Sequence, residues 1–540
     1  MPRSTLLRGV TILGAAAIIS KLLGTLQKIP MQNIGGDEAF GIYSAVFPIY
    51  TLIIFLATAG FPVAISKFVS ESLERNDEAE AVKILKVSSI ILFLSGLLFF
   101  SLLFFGAPVI AKAIDNMHTV KAIQSISFAL LFVPIMSAIR GYFQGKQNML
   151  PTAISLLTEQ TIRVITMIVL LLLFTSRGYS NESIAAGATF GSTVGALAGL
   201  MVIIVIWTIE KNNLQIDYTT TKSNSNSVGK ISKKLMGYAI PVCLGAIVVP
   251  FLGIVDSFTI PRLIRVFHGL NESQAIEQFG IYARGLTLVQ LVSMIFSSIS
   301  VALVPLMAQY KLQGQFDKMK IHTELSIRIT WLIGIAASFG LFFCIKPIST
   351  MLFENELGTL NASILSFTIV FSVLNIISTS ILQGIGSPVI PAVNLLIAAI
   401  IKILLNVLFV AVWGIEGAAL STVLAFLVAS ILNLITLRRK TKFSFNLSNY
   451  LLKPVLSIFL MGVTIYLINV GFQFVFSHVL MELGHRLNAT VISLLSVFFG
   501  ALVYLLSLFI TTAISEDDLN HMPSLGNKIR TLLVKIKFRK

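Results

Sequence analysis

The chain has 540 residues, of which 56% are hydrophobic and only 12% charged, with a mean hydropathy of +0.89. A soluble fold has no way to bury that much apolar surface, and composition alone excludes a disordered acidic or basic interaction protein. The net charge of +16 leaves two partners open, nucleic acid or an anionic membrane surface, and the position of the charges along the chain decides between them.

In chain order, apolar runs long enough to cross a hydrocarbon core of roughly 30 Å are expected at 7–30, 41–60, 84–106, 122–142, 151–174, 184–207, 234–257, 280–304, 325–345, 361–382, 389–413, 416–437, 451–470 and 489–512. The fold class is therefore an all-α polytopic membrane protein of about fourteen crossings. The first run has no A-x-A cleavage site behind it and reads as a retained helix. Cys243 and Cys344 both fall inside apolar runs, so they build neither a disulfide framework nor a metal knuckle. The six histidines are assigned to connecting segments, which argues against an enzyme using an intramembrane histidine.

With the N-terminus in the cytoplasm, 28 of the 40 Lys and Arg residues fall on the cytoplasmic side and eight outside. That bias puts both termini on the cytoplasmic side of the membrane. The charge marks a surface lying against anionic headgroups, and the tail 525–540 reads as an interfacial amphipathic helix, not a nucleic-acid arm. The acidic run Glu516-Asp-Asp518 reads as a solvated cap in preference to a metal site.

An internal repeat organises the chain. Glu38-Ala-Phe-Gly-Ile-Tyr43 returns as Glu277-Gln-Phe-Gly-Ile-Tyr282, an offset of 239, and at the same offset Gln144-Gly145 returns as Gln383-Gly384 and Arg163 as Lys402. Six crossings per copy is an even number, so both copies share one orientation, with the functional cleft expected between them. The expected domains are an N-lobe at 1–216, a linker at 217–233, a C-lobe at 234–440, an added hairpin at 441–515 and a basic tail at 516–540.

The four cations left inside crossings are Lys21, Arg163, Arg284 and Lys402, and the clearest interior acids are Glu159 and Asp256. A charge at a helix centre costs about 2.5–3.5 kcal/mol on insertion scales, so such residues face a partner or a wet cavity. Ser155, Glu159, Arg163 and Thr166 share one helical face, as do Asn394, Lys402 and Asn406. Glu159 and Arg163 could simply neutralise one another four residues apart. Arg284 could snorkel to the outer surface, and Asp256 could be solvated at a helix end. Lys402 has no acid four residues away. An excess of interior bases suits an anionic substrate such as a polyprenyl diphosphate carrying a sugar. No G-x-x-x-x-G-K-[ST] loop occurs, so nucleotide hydrolysis by that route is not expected. No cofactor, metal or catalytic residue is expected either.

Ser20-Lys-Leu-Leu-Gly24, Gly35-Gly-Asp-Glu-Ala-Phe40 and Tyr282-Ala-Arg-Gly-Leu286 resemble the lipid II flippases of the MurJ type. The whole chain resembles still more the stage V sporulation protein B-like polysaccharide transporters. Both belong to the multidrug/oligosaccharidyl-lipid/polysaccharide superfamily. The resemblance implies two six-helix lobes, a final helix pair that guides the lipid tail, Lys21 at a binding position held by arginine in the MurJ type, and Glu38 as the acid before the second crossing. This chain departs from the MurJ pattern at Arg284-Gly285 and has no cation in 51–58. The expected function is export of an undecaprenyl-diphosphate-linked wall precursor, lipid II, to the outer leaflet by alternating access. The expected partners are a lipid-linked oligosaccharide, membrane lipids and wall-synthesis enzymes, with no nucleic acid. The rivals are another lipid-linked polysaccharide, a cation-coupled multidrug exporter and a non-transporting scaffold. Exporters of that kind need interior acids, and bases outnumber them here.

Overall fold

The computed structural model describes residues 3–213, 227–246, 248–443, 453–479, 484–511 and 513. Most of the expected linker, the tail with Glu516-Asp-Asp518 and its amphipathic run, and His521 lie outside the described residues. The helices are α1 (Arg3–Leu26), α2 (Lys28–Thr58), α3 (Phe61–Glu74), α4 (Glu78–Ile114), α5 (Val120–Ser127), α6 (Val133–Gly145), α7 (Leu150–Ser176), α8 (Asn181–Asn213), α9 (Val228–Ala246), α10 (Val248–His268), α11 (Glu272–Leu312), α12 (Phe316–Phe353), α13 (Thr359–Ser366), α14 (Thr368–Gly384), α15 (Val389–Thr441), α16 (Lys453–Val479) and α17 (His485–Ile510).

Local chemistry sets many of these boundaries. Asp77 caps α4 by accepting from the Glu80 backbone N–H at 2.7 Å, with Glu78 and Glu80 in the first turn. Proline stands in the first turn of α3, α6 and α7, where its missing N–H costs nothing. The duplication also appears in the backbone. Helix α4 ends on left-handed Asp115 (φ 64) and α12 on left-handed Glu354 (φ 65), 239 residues later. Positions 147 and 386, again 239 apart, both have positive φ, and α5 and α13 begin and end at the same offset.

Eleven stretches among the described residues are long and apolar enough to cross a membrane. Two of them carry non-helical kinks, at Gly36 (φ 78) and Gly414 (φ 57), angles that a residue without Cβ adopts without strain. Each kinked stretch accounts for two crossings, and α9 with α10 supplies another, so the fold is consistent with fourteen. The crossings are longer than expected. Helix α4 has 37 residues, about 55 Å at 1.5 Å per residue, so its ends project beyond the hydrocarbon.

The chain divides into two compact units. The first comprises Met1–Met294 and Ala392–Ala425, the second Ile295–Pro391 and Phe426–Lys540. All nine residues singled out above as site candidates belong to the first. In the second, α12 packs on α14 and α17, and α16 packs on α17. The Tyr504 hydroxyl donates to the Leu332 carbonyl at 2.8 Å, and the Asn433 amide donates to Asn375 at 2.8 Å.

Several assignments change. Helix α11 begins at Glu272, so Arg284 lies twelve residues inside it, about 18 Å from its start, and is 2% exposed. It does not snorkel. His322 is within the first two turns of α12, stacked on Tyr310, and not in a connection. Arg140, one of the 28 cations that the charge count assigns to the cytoplasmic side, is inside α6 with only 13% of its side chain exposed.

Candidate functional site

The kink at Gly36 separates the first and second crossings and puts Asp37 and Glu38 on the first turn beyond it. Asp37 turns toward α11. The Arg284 guanidinium donates to it twice, from Nε at 2.6 Å and from Nη2, with the two side chains 3% and 9% exposed. Glu38 turns the other way and accepts from the Asn181 amide at 2.7 Å. One turn further on, α2 and α11 touch backbone to backbone. A Cβ on Gly41 would lie 2.0 Å from the Ile276 carbonyl oxygen, and a Cβ on Gly280 would lie 2.0 Å from that of Asp37. Both pairs are related by the 239-residue offset, so the repeated Phe-Gly-Ile-Tyr segment packs against its own copy about a local two-fold. Only glycine allows this approach.

On the N-terminal copy, α7 presents Ser155, Glu159 and Arg163 inward. Glu159 and Arg163 do not neutralise one another. Instead Arg140 of α6 bonds both Ser155 (2.8 Å) and Glu159 (2.9 Å). Arg163 is left with uncharged partners: its Nη2 donates to the Tyr43 hydroxyl at 3.3 Å, and its guanidinium lies 5.1 Å from the centre of the Phe47 ring. Tyr43 also accepts from the Gln27 amide at 3.1 Å. Lys28 donates to the Gln290 side chain at 2.7 Å, and Arg163 is near enough to repel its charge. Lys21 is exposed on α1 and forms no ion pair among the described residues.

The C-terminal copy differs. Lys402 and Asp256 form an ion pair at 2.7 Å with side chains 1% and 4% exposed. Tyr282, the repeat partner of Tyr43, donates to the same Asp256 Oδ2 at 3.0 Å and lies 2.7 Å from Thr422 Oγ1. Asn406 donates to Thr259 at 2.8 Å and reaches Asp256 Oδ1 only at 3.5 Å. Asp256 is therefore not solvated at a helix end. Lys402, expected to face a cavity, already has a partner, because the carboxylate that neutralises it is 146 residues away on α10. Asn394 is buried at 8% exposure.

The structure thus gathers Asp256, Lys402 and Asn406 into one cluster and holds Arg284 and Glu38 at the α2 kink. Among the described residues it leaves Lys21 and Arg163 without counter-charge. Sequence reasoning passed over Asp37 and the two tyrosines, and counted Arg140 and Lys28 with the charges at the cytoplasmic and outer sides. The tyrosines carried a usable signal, since both close the repeated motif.

Comparison with known proteins follows the same lines. The model for the family described as "Polysaccharide biosynthesis protein" matches residues 6–311, and that for MatE matches 277–408. The membrane protein YabM of Bacillus subtilis (strain 168) is 32% identical over 97% of this chain and 95% of its own length. The lipid II flippase MurJ of the same organism is 29% identical over 93% of this chain and 94% of its own. A solved structure of a lipid II flippase MurJ, in an inward closed conformation, superposes with a TM-score of 0.68 at 16% identity, covering 94% of this chain and 99% of that one. This last likeness is one of fold.

Proposed function

The chain belongs to the polysaccharide biosynthesis protein family, within the multidrug/oligosaccharidyl-lipid/polysaccharide superfamily, and on that premise we propose that it flips lipid II, a polyprenyl-diphosphate-linked wall precursor, from the inner to the outer leaflet of the bacterial cell membrane by alternating access.

The observation that carries this reading is the unneutralised charge of the N-terminal copy. Arg140, Arg284 and Lys402 each have a carboxylate partner, whereas Lys21, Lys28 and Arg163 have none among the described residues. Keeping cations unpaired at membrane depth costs a few kcal/mol each, and a diphosphate supplies the missing counter-charge for part of the cycle. Lys21 and Arg163, joined by Lys28, are accordingly the proposed diphosphate ligands. Asn394 and other polar side chains would meet the sugars. The chain of the lipid stays in the bilayer, with α16 and α17 as its track. Both termini face the cytoplasm, and the proposed partners are the enzymes that make and consume the precursor. A membrane potential negative inside drives the anion outward and the net-positive empty site back, worth about 2.3 kcal/mol per charge per 100 mV.

The test is translocation of lipid II in proteoliposomes holding the purified chain. Transfer above protein-free vesicles, lost in Arg163→Glu, is expected. Wild-type protein that transfers no lipid II, but transfers another diphosphate-linked oligosaccharide, would overturn the choice of lipid.

A further inference from the structure

Helix α2, which meets α11 at Gly41, touches the C-terminal copy at two further places. Its chain runs on through Ala59 and Gly60, both in right-handed helical conformation, into α3. At Gly60 it meets α9. The Gly60 N–H donates to Cys243 Sγ at 3.1 Å, and a Cβ on Gly60 would lie 2.1 Å from the Ala239 carbonyl oxygen. Gly41 and Gly60 are 19 residues apart, about 28 Å at 1.5 Å per residue, close to the roughly 30 Å of the hydrocarbon. Both are backbone contacts that leave no room for a side chain. Position 299, the repeat mate of Gly60, is isoleucine, so the inner contact is not a product of the duplication as the Gly41–Gly280 contact is. Between the two, Pro48 stands inside α2, and a Cβ on Gly253 of α10 would lie 3.2 Å from Pro48 Cγ. A proline in a helix interior removes one backbone bond and weakens the helix against bending at that point.

We propose that α2 is a hinged double gate, a reading that rests on transport by alternating access. Gly41 against Ile276 is its outer latch, Gly60 against Ala239 and Cys243 its inner latch, and Pro48, seated on Gly253, the hinge between them. Each half of α2 swings away from the C-terminal copy on its own, while the hinge and the other latch keep the two copies joined. Opening both halves at once would leave only the Pro48 contact along α2, which is why one latch holds while the other parts. Both latches are shut in this structure, so along α2 the protein is closed toward either face. Tyr43 and Phe47, the partners of Arg163, ride on the outer half. A swing of that half therefore changes how Arg163 is held at the moment the outer face opens, and a swing of the inner half leaves that contact intact. The duplication supplies the outer latch, and the unpaired Gly60 adds the inner one.

Thiol labelling of the full chain in phospholipid nanodiscs, which expose both faces to one soluble maleimide, tests this. Cys243, 2% exposed, reports the inner latch, Ile276→Cys reports the outer one, and Cys344, 0% exposed, reports unfolding. Rates at the three sites are resolved by mass spectrometry. Gly60→Ala should raise the Cys243 rate about tenfold, the population shift expected of a one-methyl clash, and leave position 276 at its starting rate. Gly41→Ala should do the reverse. Pro48→Ala restores one backbone bond and should slow both thiols by about fivefold. Cys344 should stay unreactive throughout. A glycine variant that speeds both reporters alike, or neither, while Cys344 stays silent overturns the two-latch assignment. If both glycine variants expose Cys344, Pro48→Ala decides alone, and unchanged or faster rates in it overturn the hinge. No polyprenyl lipid is present, so the gate can fail where lipid II translocation succeeds, and the reverse.

Discussion

Replacing Asp37 by alanine leaves the Arg284 guanidinium, 3% exposed, buried without its two carboxylate bonds. Breaking a buried pair from one side costs about 3–5 kcal/mol, because the surviving charge loses its hydrogen-bonded counter-ion without regaining water, and Arg284→Ala should cost a similar amount from the carboxylate side. Removing both charges at once is different. In Asp37→Leu with Arg284→Met the desolvation penalty disappears along with the attraction, and buried pairs treated this way come out about neutral or 1–4 kcal/mol more stable. A double-mutant cycle on denaturant midpoints of the purified chain, in one fixed detergent, measures the difference. It should return a coupling of several kcal/mol, with each single variant well below wild type and the double near it. Single-variant losses of about 1 kcal/mol or less, the level of exposed pairs, would refute the reasoning. Such a result would mean that Asp37 and Arg284 are hydrated in the protein's resting state.

Alanine at Gly41 or at Gly280 must push α2 and α11 apart, since either Cβ would meet a carbonyl oxygen at 2.0 Å. Each should cost about 1–3 kcal/mol or more of stability, with nearly equal midpoints because the two contacts are copies. Arg140→Met should lower stability by about 3–5 kcal/mol by stranding Glu159. Arg163→Met should cost only about 1–2 kcal/mol, the Tyr43 bond and the Phe47 ring contact, yet reduce lipid translocation in proteoliposomes by tenfold or more. Asp77→Ala should remove about 1 kcal/mol through the lost α4 cap, read in the same denaturant assay. Single thiols placed at Lys440 and Lys346 in a chain lacking Cys243 and Cys344 should react with an impermeant reagent from opposite sides of intact cells, Lys346 alone being labelled from outside.

The crossings and the repeat were legible because both are written at short range. Apolar runs announce helices by length, and a six-residue motif repeated at offset 239 needs no tertiary knowledge. The charge partners were not legible, because Asp256–Lys402 and Asp37–Arg284 join residues 146 and 247 positions apart. The choice of Glu38 over Asp37 shows the limit clearly. Neighbouring residues on a helix point about 100° apart, and only the turn taken at Gly36 decides which carboxylate meets α11. Arg140 was misplaced for a related reason: charge counting sees a cation near a Gln-Gly turn, and α6 in fact carries it inward to Glu159.

The two copies keep matched cations at positions 163 and 402 and matched tyrosines at 43 and 282, so the present asymmetry is a divergence from a common arrangement. In the N-terminal copy the tyrosine bonds the cation directly, and the acid on α7 is drawn off by Arg140. In the C-terminal copy an acid on α10 stands between tyrosine and cation and takes hydrogen bonds from both. One half is thereby left with charge to offer an anion and the other with a closed, neutral cluster. A carrier with both cations free would hold a multiply charged ligand from two sides and release it slowly, since each charge-assisted contact adds to the off-rate barrier. Giving Lys402 an internal carboxylate makes its charge conditional on Asp256. Asp256→Asn should accordingly strengthen diphosphate binding while slowing multiple turnover, a split between affinity and rate that a purely structural role for the pair does not produce.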